Sequence, residues 1–355
     1  MLNRTNAWVV PAAAALFMVF AAGPTRAAAD PAVQAVVNLV SQTDYQTYHL
    51  DVENMGLGLY GGATYDMGYR NRDGWAGPGS LGNQEARLYL QDAFTAMGLS
   101  VSVQGSYFNV VGELTGTTTP ENIYIIGGHY DHLAGDRPGG DDNASGTAGV
   151  LEAARVLSQW QFESTIRFIG FNAEEDGLLG SKDYVDNHVI PAAENVVGMI
   201  NMDMILRPGS DVNPNTVIDA ELETNGSMPW LQAYQQAAAD YVPSLIIGNI
   251  WNGRDSWSDN DSFQERGIPS LLVIENSWDD WDVANPYYHT YEDASDRLAN
   301  GSPNGVTYDY PFATDVTRTA VALIAQEARL VPEPSTLALL SMATAGLLLY
   351  GLRRR

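Results

Sequence analysis

The sequence contains no cysteine. Disulfides, thiolate metal sites and a cysteine nucleophile are therefore excluded, and any metal must be held by His, Asp and Glu. Lysine is almost as scarce, Lys182 being the only one, and 18 basic residues face 43 acidic ones for a formal net charge of −25. So acidic a surface repels nucleic acid and anionic membranes, which argues against polyanion binding. It favours cations instead, including metal ions and substrates that carry an amine. Repeats with the period of roughly 20 to 50 residues typical of solenoids are absent, as is any long linker. The 355 residues, 45% of them apolar, suffice for a sizeable core.

The two ends read as addresses. Residues 1–29 carry Arg4, an apolar run from Ala7 to Ala22 and small residues around Ala27–Ala29, the pattern of a secretory signal peptide cleaved near Asp30. The run is short for a full membrane span. At the other end, Pro332-Glu333-Pro334 precedes an apolar stretch from Leu337 to Leu352, and Arg353–Arg355 finish the chain. That order describes one transmembrane helix of short spanning length with its arginines in the cytoplasm. It resembles the PEP-CTERM sorting tail of Gram-negative bacteria. The resemblance implies an exosortase and the secretion machinery as partners, membrane contact only through the tail, and a final place at the cell surface or outside the cell. The expected organisation is a signal peptide (1–29), one enzymatic domain (30–331) and a sorting tail (332–355). Setting the ends aside removes five arginines and one glutamate, so 13 bases and 42 acids remain, a net charge of −29.

Within the domain, Met55–Gly82 is rich in glycine and aromatics and reads as loops. Helical spacing of apolar residues predicts helices over Gln84–Met97, Gly146–Leu157, Gly180–Asn187 and Trp230–Asp240. Gly98 suits the position just past a helix end. Short strands are predicted in Val101–Leu114, and further strands at Ile123–Gly127, Thr165–Phe171, Val196–Met204 and Ser270–Ile274. Strands alternating with helices predict a sheet covered on both faces, with ligands beyond the carboxyl ends of its strands.

Five segments place histidines or acids at such positions: GGHYDH with His129 and Asp131, GGDDNASG with Asp141 and Asp142, FNAEEDG with Glu174 and Glu175, INMDMI with Asp203, and PYYHTYED with His289. Each alone reads as an ordinary cap, loop or surface residue. Together, in order on successive elements, they predict acids converging on one cleft, which repel unless cations compensate them.

In the order of these motifs the chain resembles the zinc-dependent aminopeptidases of the bacterial leucyl aminopeptidase type, over about Gly82 to Arg297. Glutamate carboxypeptidases and glutaminyl cyclases are relatives. The resemblance implies an α/β fold, a three-layer α/β/α sandwich around a mixed, mostly parallel sheet. It also implies two zinc ions per chain, with manganese or cobalt as possible substitutes. Asp142 would bridge the ions, Glu175 and His289 completing one site and His129 and Asp203 the other. Asp131 would accept a hydrogen bond from His129 and fix its tautomer. Glu174 would be the general base, moving a proton from the attacking water to the leaving amine. The implied function is an exported metallo-aminopeptidase acting on peptides with a free N-terminus. Alternatives are a glutaminyl cyclase or carboxypeptidase on the same fold, or a surface or matrix protein that has lost catalysis.

One segment departs from the pattern. Family members often carry S-D-H followed by an aromatic, and here Ser258-Asp259-Asn260-Asp261-Ser262-Phe263 has Asn260 in the place of His. Arg254, Asp255 and Trp257 stand where some members place a tyrosine that helps hold the oxyanion. Trp251, Trp257, Trp278, Trp281, Tyr287 and Tyr288 crowd the approach to His289, either as packing or as the wall of a pocket for the first substrate side chain. His49, His132 and His188 read as structural or surface residues. The Asp-rich runs 258–261 and 279–282 lack the glycine an EF-hand calcium loop needs.

Overall fold

The computed structural model of the chain describes residues 29–55, 80–133, 138–207, 218–221, 228–245, 247–251, 258–275, 287–295 and 308–331. The expected signal peptide (Ala29 apart) and the sorting tail lie outside these residues, as do 56–79 of the glycine-rich stretch. No helix among the described residues is long and apolar enough to cross a membrane.

Three helices come first: α1 (Pro31–Val37), α2 (Gln42–Glu53) and α3 (Leu81–Ala96). Next are β1 (Ser100–Gln104), β2 (Asn109–Leu114), β3 (Thr119–His129), α4 (Gly146–Leu157), β4 (Ser164–Phe171), α5 (Leu179–Tyr184), α6 (Ile190–Ala192) and β5 (Asn195–Met202). The chain continues through β6 (Ile218–Glu221), α7 (Met228–Tyr241), β7 (Ile247–Trp251), α8 (Asn260–Gln264), β8 (Ser270–Val273) and α9 (Tyr310–Glu327). Six strands form one sheet in the order β1-β2-β4-β3-β5-β8, and β6 and β7 form a separate parallel pair. Neighbours β4, β3, β5 and β8 run parallel, while β1 and β2 pair antiparallel at one edge.

The layers follow from the period-2 alternation of strand side chains. In β3, Tyr124 and Ile126 point into a large core with α1–α4, α7 and α9, whereas Ile123 and Ile125 point to the other face with Phe171, Tyr184 and Phe263. A strand buried on both faces needs a continuous apolar run, which is why the IYII stretch was legible. The result is the three-layer α/β/α sandwich with a mixed, mostly parallel sheet. Most expected elements stand within a few residues of their predicted bounds. Leu81 and Gly82 open helix α3 instead of closing a loop, and β5 stops at Met202, two residues short of the predicted end.

This topology positions the chemistry. Parallel β3, β4 and β5 end on the same side, His129 pairing with Phe171 and Gly127 with Asn201. The segments after those three strands, together with the turn before α4, share one cleft.

Candidate metal centre

Each site residue is held by its local backbone. His129 is the last residue of β3, and the Thr147 hydroxyl donates to its carbonyl at 2.6 Å. Asp142 lies in the turn Gly140–Ser145 with φ −102° and ψ 90°, outside helical values. The turn packs tightly on the end of β5: a Cβ on Gly146 would sit 2.0 Å from the Met202 carbonyl oxygen, so only glycine fits. Asn143 locks this arrangement, its Nδ2 donating to Met202 O at 2.9 Å and its Oδ1 accepting from Gly146 N–H at 2.8 Å. Ala173, Met204 and His289 have φ of 59°, 51° and 57°, left-handed values uncommon for non-glycine residues. They precede Glu174, follow Asp203 and belong to a candidate ligand, so backbone strain gathers at the cleft.

The side chains converge. Ligand atoms of His129, Glu174 and Asp203 lie within 4.8 Å of one another, and so do those of Asp142, Glu175 and His289. Asp142 joins the two groups, its Oδ1 lying 3.4 Å from His129 Nε2 and its Oδ2 2.9 Å from His289 Nε2. His129 Nε2 is also 3.4 Å from Asp203 Oδ1, and His289 Nε2 is 3.3 Å from Glu175 Oε2. Two ligand atoms each about 2.0–2.1 Å from a tetrahedral zinc stand about 3.3 Å apart. The three distances of 3.3 to 3.4 Å fit that geometry and the 2.9 Å contact is tighter, whereas Glu174 Oε2, at 3.9 Å from His129 Nε2, is longer. His129 Nε2, Asp203 Oδ1 and Glu175 Oε1 are buried without a hydrogen-bond partner, as metal-directed atoms would be. The donor set fits two zinc ions.

Asp131 differs in detail from the expectation. His129 Nδ1 is 3.1 Å from the main-chain carbonyl of Asp131 and 3.6 Å from its carboxylate. The carboxylate instead accepts the N–H groups of Glu174 and Glu175, at 3.2 and 3.4 Å. The Asp131 carbonyl is thus the ring's nearer partner, and the carboxylate holds the acidic pair.

Electrostatics follow from burial and crowding. Burial opposes the charged form of His289, but contact with Asp142 and Glu175 lifts its pKa to about 10. His129 is likewise raised well above the usual imidazole range: burial opposes this, and the charges of Asp203 and Glu174 outweigh it. Asp142 is buried, yet the two imidazoles beside it hold it well below the usual carboxylate range. Burial raises Glu175 to about 7, with Asp142 adding to the rise. Glu174 is pushed well up by burial, against the pull of His129 and with help from Glu175, Asp203 and Asp259.

Other expected residues fall into place around this centre. His132 is buried and lines the small cavity that Asp142, Glu175 and His289 also line. His49 is buried behind the metal turn, its Nε2 at 2.8 Å from the Gly140 carbonyl, and His188 is half-buried beside Tyr184. Tyr288 stacks on the His289 ring with centroids 3.6 Å apart. Arg207 is buried over the rings of Tyr287 and Tyr308 and near Asp141. Asn260 is fully buried at the start of α8. Arg254, Asp255, Trp257, Trp278, Trp281 and the run 279–282 lie outside the described residues, as does the Trp251 side chain.

Sequence reasoning missed the supporting layer. Ser258 donates to Asp203 Oδ2 at 2.6 Å and itself accepts from Asn201 Nδ2 at 2.7 Å. Asp259, Glu275 and Asp293 are buried acids around the centre. A signal for Asp293 was present, four residues after His289 in the same segment, but nothing local says that an acid points inward.

The profile of Peptidase family M28 matches residues 109–307, and that of the PEP-CTERM protein-sorting motif matches residues 330–355. Aminopeptidase YwaD of Bacillus subtilis is 32% identical over 185 residues, which are 51% of this chain and 37% of that protein. The probable aminopeptidase YDR415C of Saccharomyces cerevisiae is 31% identical over 211 residues, 54% of this chain and 52% of that one. The chain thus spans about half the length or less of these curated relatives. Among solved structures, the LapA aminopeptidase of Legionella pneumophila aligns with a TM-score of 0.67 at 22% identity, covering 83% of this chain and 74% of that one. Porphyromonas gingivalis glutaminyl cyclase aligns with a TM-score of 0.63 at 18% identity, covering 81% and 99%. At these identities the two structures speak for the fold alone. With its motifs in order, its donor atoms converging and more than half its length matched, the chain belongs to peptidase family M28.

Proposed function

We propose that the protein is an exported metallo-aminopeptidase that removes N-terminal residues from peptides with two zinc ions and a glutamate base. The observation that carries this reading is the pair of donor triads joined by Asp142, with four ligand-to-ligand distances of 2.9 to 3.4 Å. His129 and Asp203 would hold one ion, Glu175 and His289 the other, and Asp142 both. Bound zinc would acidify a water and polarise the scissile carbonyl.

The chain's own residues supply the rest. Glu174 is the general base: its carboxylate takes a proton from the attacking water and delivers it to the leaving amine nitrogen. Its longer distance from His129 and its raised proton affinity support this role over that of a ligand. Asp131 holds Glu174 and Glu175 in register through their N–H groups. The strongly acidic character of the chain attracts the protonated α-amine of a peptide, which favours cleavage at the N-terminus.

The organisation proposed for the whole chain is a signal peptide over 1–29, the peptidase domain over 30–331 and the sorting tail over 332–355. Support comes from where the domain is tied down. Asp30 caps α1 and donates its N–H to the Tyr241 hydroxyl, and Val331 N–H bonds to the Gln161 carbonyl. The PEP-CTERM match supports export and handling by an exosortase.

The similarity to a glutaminyl cyclase fold keeps one competitor in view. Zinc per chain, measured beside hydrolysis of an aminoacyl-nitroanilide and cyclisation of a glutamine-leading peptide, separates the two. The aminopeptidase reading expects two zinc ions and hydrolysis, and one zinc with cyclisation alone overturns it.

A further inference from the structure

The segment that carries His289 and the turn that carries Asp142 are far apart in sequence, yet one residue ties them together. Asp293, four residues after His289, is 1% exposed. Its carbonyl accepts the Gly140 N–H at 2.9 Å. Its carboxylate accepts the Asp141 N–H at 3.0 and 3.1 Å and the Asp142 N–H at 3.1 Å. Three successive N–H groups of the metal turn thus end on one residue. The backbone at Asp142 is not helical, so the ordinary i→i−4 ladder offers these groups no alternative. The Tyr308 hydroxyl donates to Oδ1 at 2.8 Å and fixes the carboxylate plane.

Resting on the two-zinc reading above, we infer that Asp293 is a positioning residue for the bridging carboxylate: it sets Asp142 against His289 by holding the turn's N–H groups. Oδ2 accepts from both the Asp141 and the Asp142 N–H and Oδ1 shares the first, so whichever way an asparagine amide turns, its NH₂ stands against the Asp141 N–H. In Asp293→Asn one oxygen becomes an NH₂, which cannot accept the N–H it faces. The turn then loses an anchor while the side-chain volume stays the same. Residues that orient metal ligands typically contribute about 10- to 100-fold in metal affinity.

The test measures zinc affinity by competition with a chelator, together with the visible absorption of the cobalt-loaded protein, for the parent, Asp293→Asn and Tyr308→Phe. Glu194→Gln serves as the control. It weakens the Arg167 ion pair beside the amino end of β5, at the opposite end of the strands. The expected result is a loss of about 10- to 100-fold in zinc affinity for Asp293→Asn with an altered cobalt spectrum. Tyr308→Phe should show a smaller loss of the same kind, and Glu194→Gln should change thermal stability without changing affinity. A folded Asp293→Asn that binds zinc like the parent with an unchanged cobalt spectrum overturns the inference. Should Asp293→Asn fail to fold, unchanged affinity in Tyr308→Phe overturns it instead. A parent that binds no zinc sinks the two-zinc reading and this inference with it, whereas a zinc-binding parent beside an unaffected Asp293→Asn sinks this inference alone.

Discussion

Replacing Asp259 by asparagine should stabilise the metal-free protein, and more so at higher pH. Asp259 is fully buried, and its oxygens have no hydrogen-bond partner of ordinary geometry, although the Ser181 hydroxyl favours the anion a little. Burial lifts its pKa from 3.8 to about 7, His129 opposing the rise and Asp131 and Asp203 adding to it. Between those two values the folded chain keeps a proton that the unfolded chain has released. Stability therefore falls as pH rises through the window and levels off above about 7. A difference of about three in pKa, at about 1.4 kcal/mol for each, is a penalty on the order of 4 kcal/mol. Asparagine keeps the shape and removes the ionisation. The stability gap between variant and parent should widen by about 3 kcal/mol from about pH 5 to about pH 8. For roughly 300 residues at about 2 cal/mol/K each, that is about 5 °C in Tm. Thermal unfolding in chelator at both pH values measures it. Adding zinc should shrink the gap, because nearby cations hold Asp259 ionised. A gap that is the same at both pH values, or a variant less stable than the parent at the higher one, refutes the reasoning.

Three further outcomes follow from the same geometry. Glu174→Gln should retain zinc and lose about 10²- to 10⁴-fold in turnover on an aminoacyl-nitroanilide, and an unchanged rate removes its role as base. Asp142→Ala should lose both zinc ions together in metal analysis, since among the described residues it alone lies within 3.4 Å of both His129 and His289; two ions retained per chain contradicts the bridge. In the metal-free protein His129, His289 and Glu175 all have raised proton affinity, so zinc must displace protons from them. Apparent zinc affinity should then rise with pH through neutrality and beyond, and calorimetry in buffers of different ionisation enthalpy should show proton release; a flat pH dependence speaks against these ligands.

The parts of this protein that were legible in its sequence are those whose signals are local. Runs such as IYII announce a strand buried on both faces, and the small residues of GTAGVLEAARVL suit a helix packed on nearly every side. Three of the acidic and histidine segments, those of His129, Glu174 and Asp203, could be read because each follows a strand, and the parallel topology gathers strand ends. Helix α2 carries no clear apolar stripe, because its buried face includes His49 and Glu53, turned toward the back of the metal turn. Helix α9 went unpredicted although Asp309 caps it and Pro311 stands in its first turn. The supporting acids were hidden for a different reason. Whether Asp259, Glu275 or Asp293 faces solvent or the core depends on residues far along the chain, as when Glu275 accepts the Arg207 N–H or Asp293 the Asp142 N–H. Local pattern likewise could not show that His129 Nδ1 lies nearer the Asp131 carbonyl, at 3.1 Å, than the Asp131 carboxylate, at 3.6 Å.

The most direct test is diffraction from zinc-loaded crystals with data collected at the zinc absorption edge. Two anomalous peaks should lie in the cleft, one between His129 and Asp203 and the other between Glu175 and His289, with an oxygen of Asp142 on each. A single peak, or none between these side chains, contradicts the account.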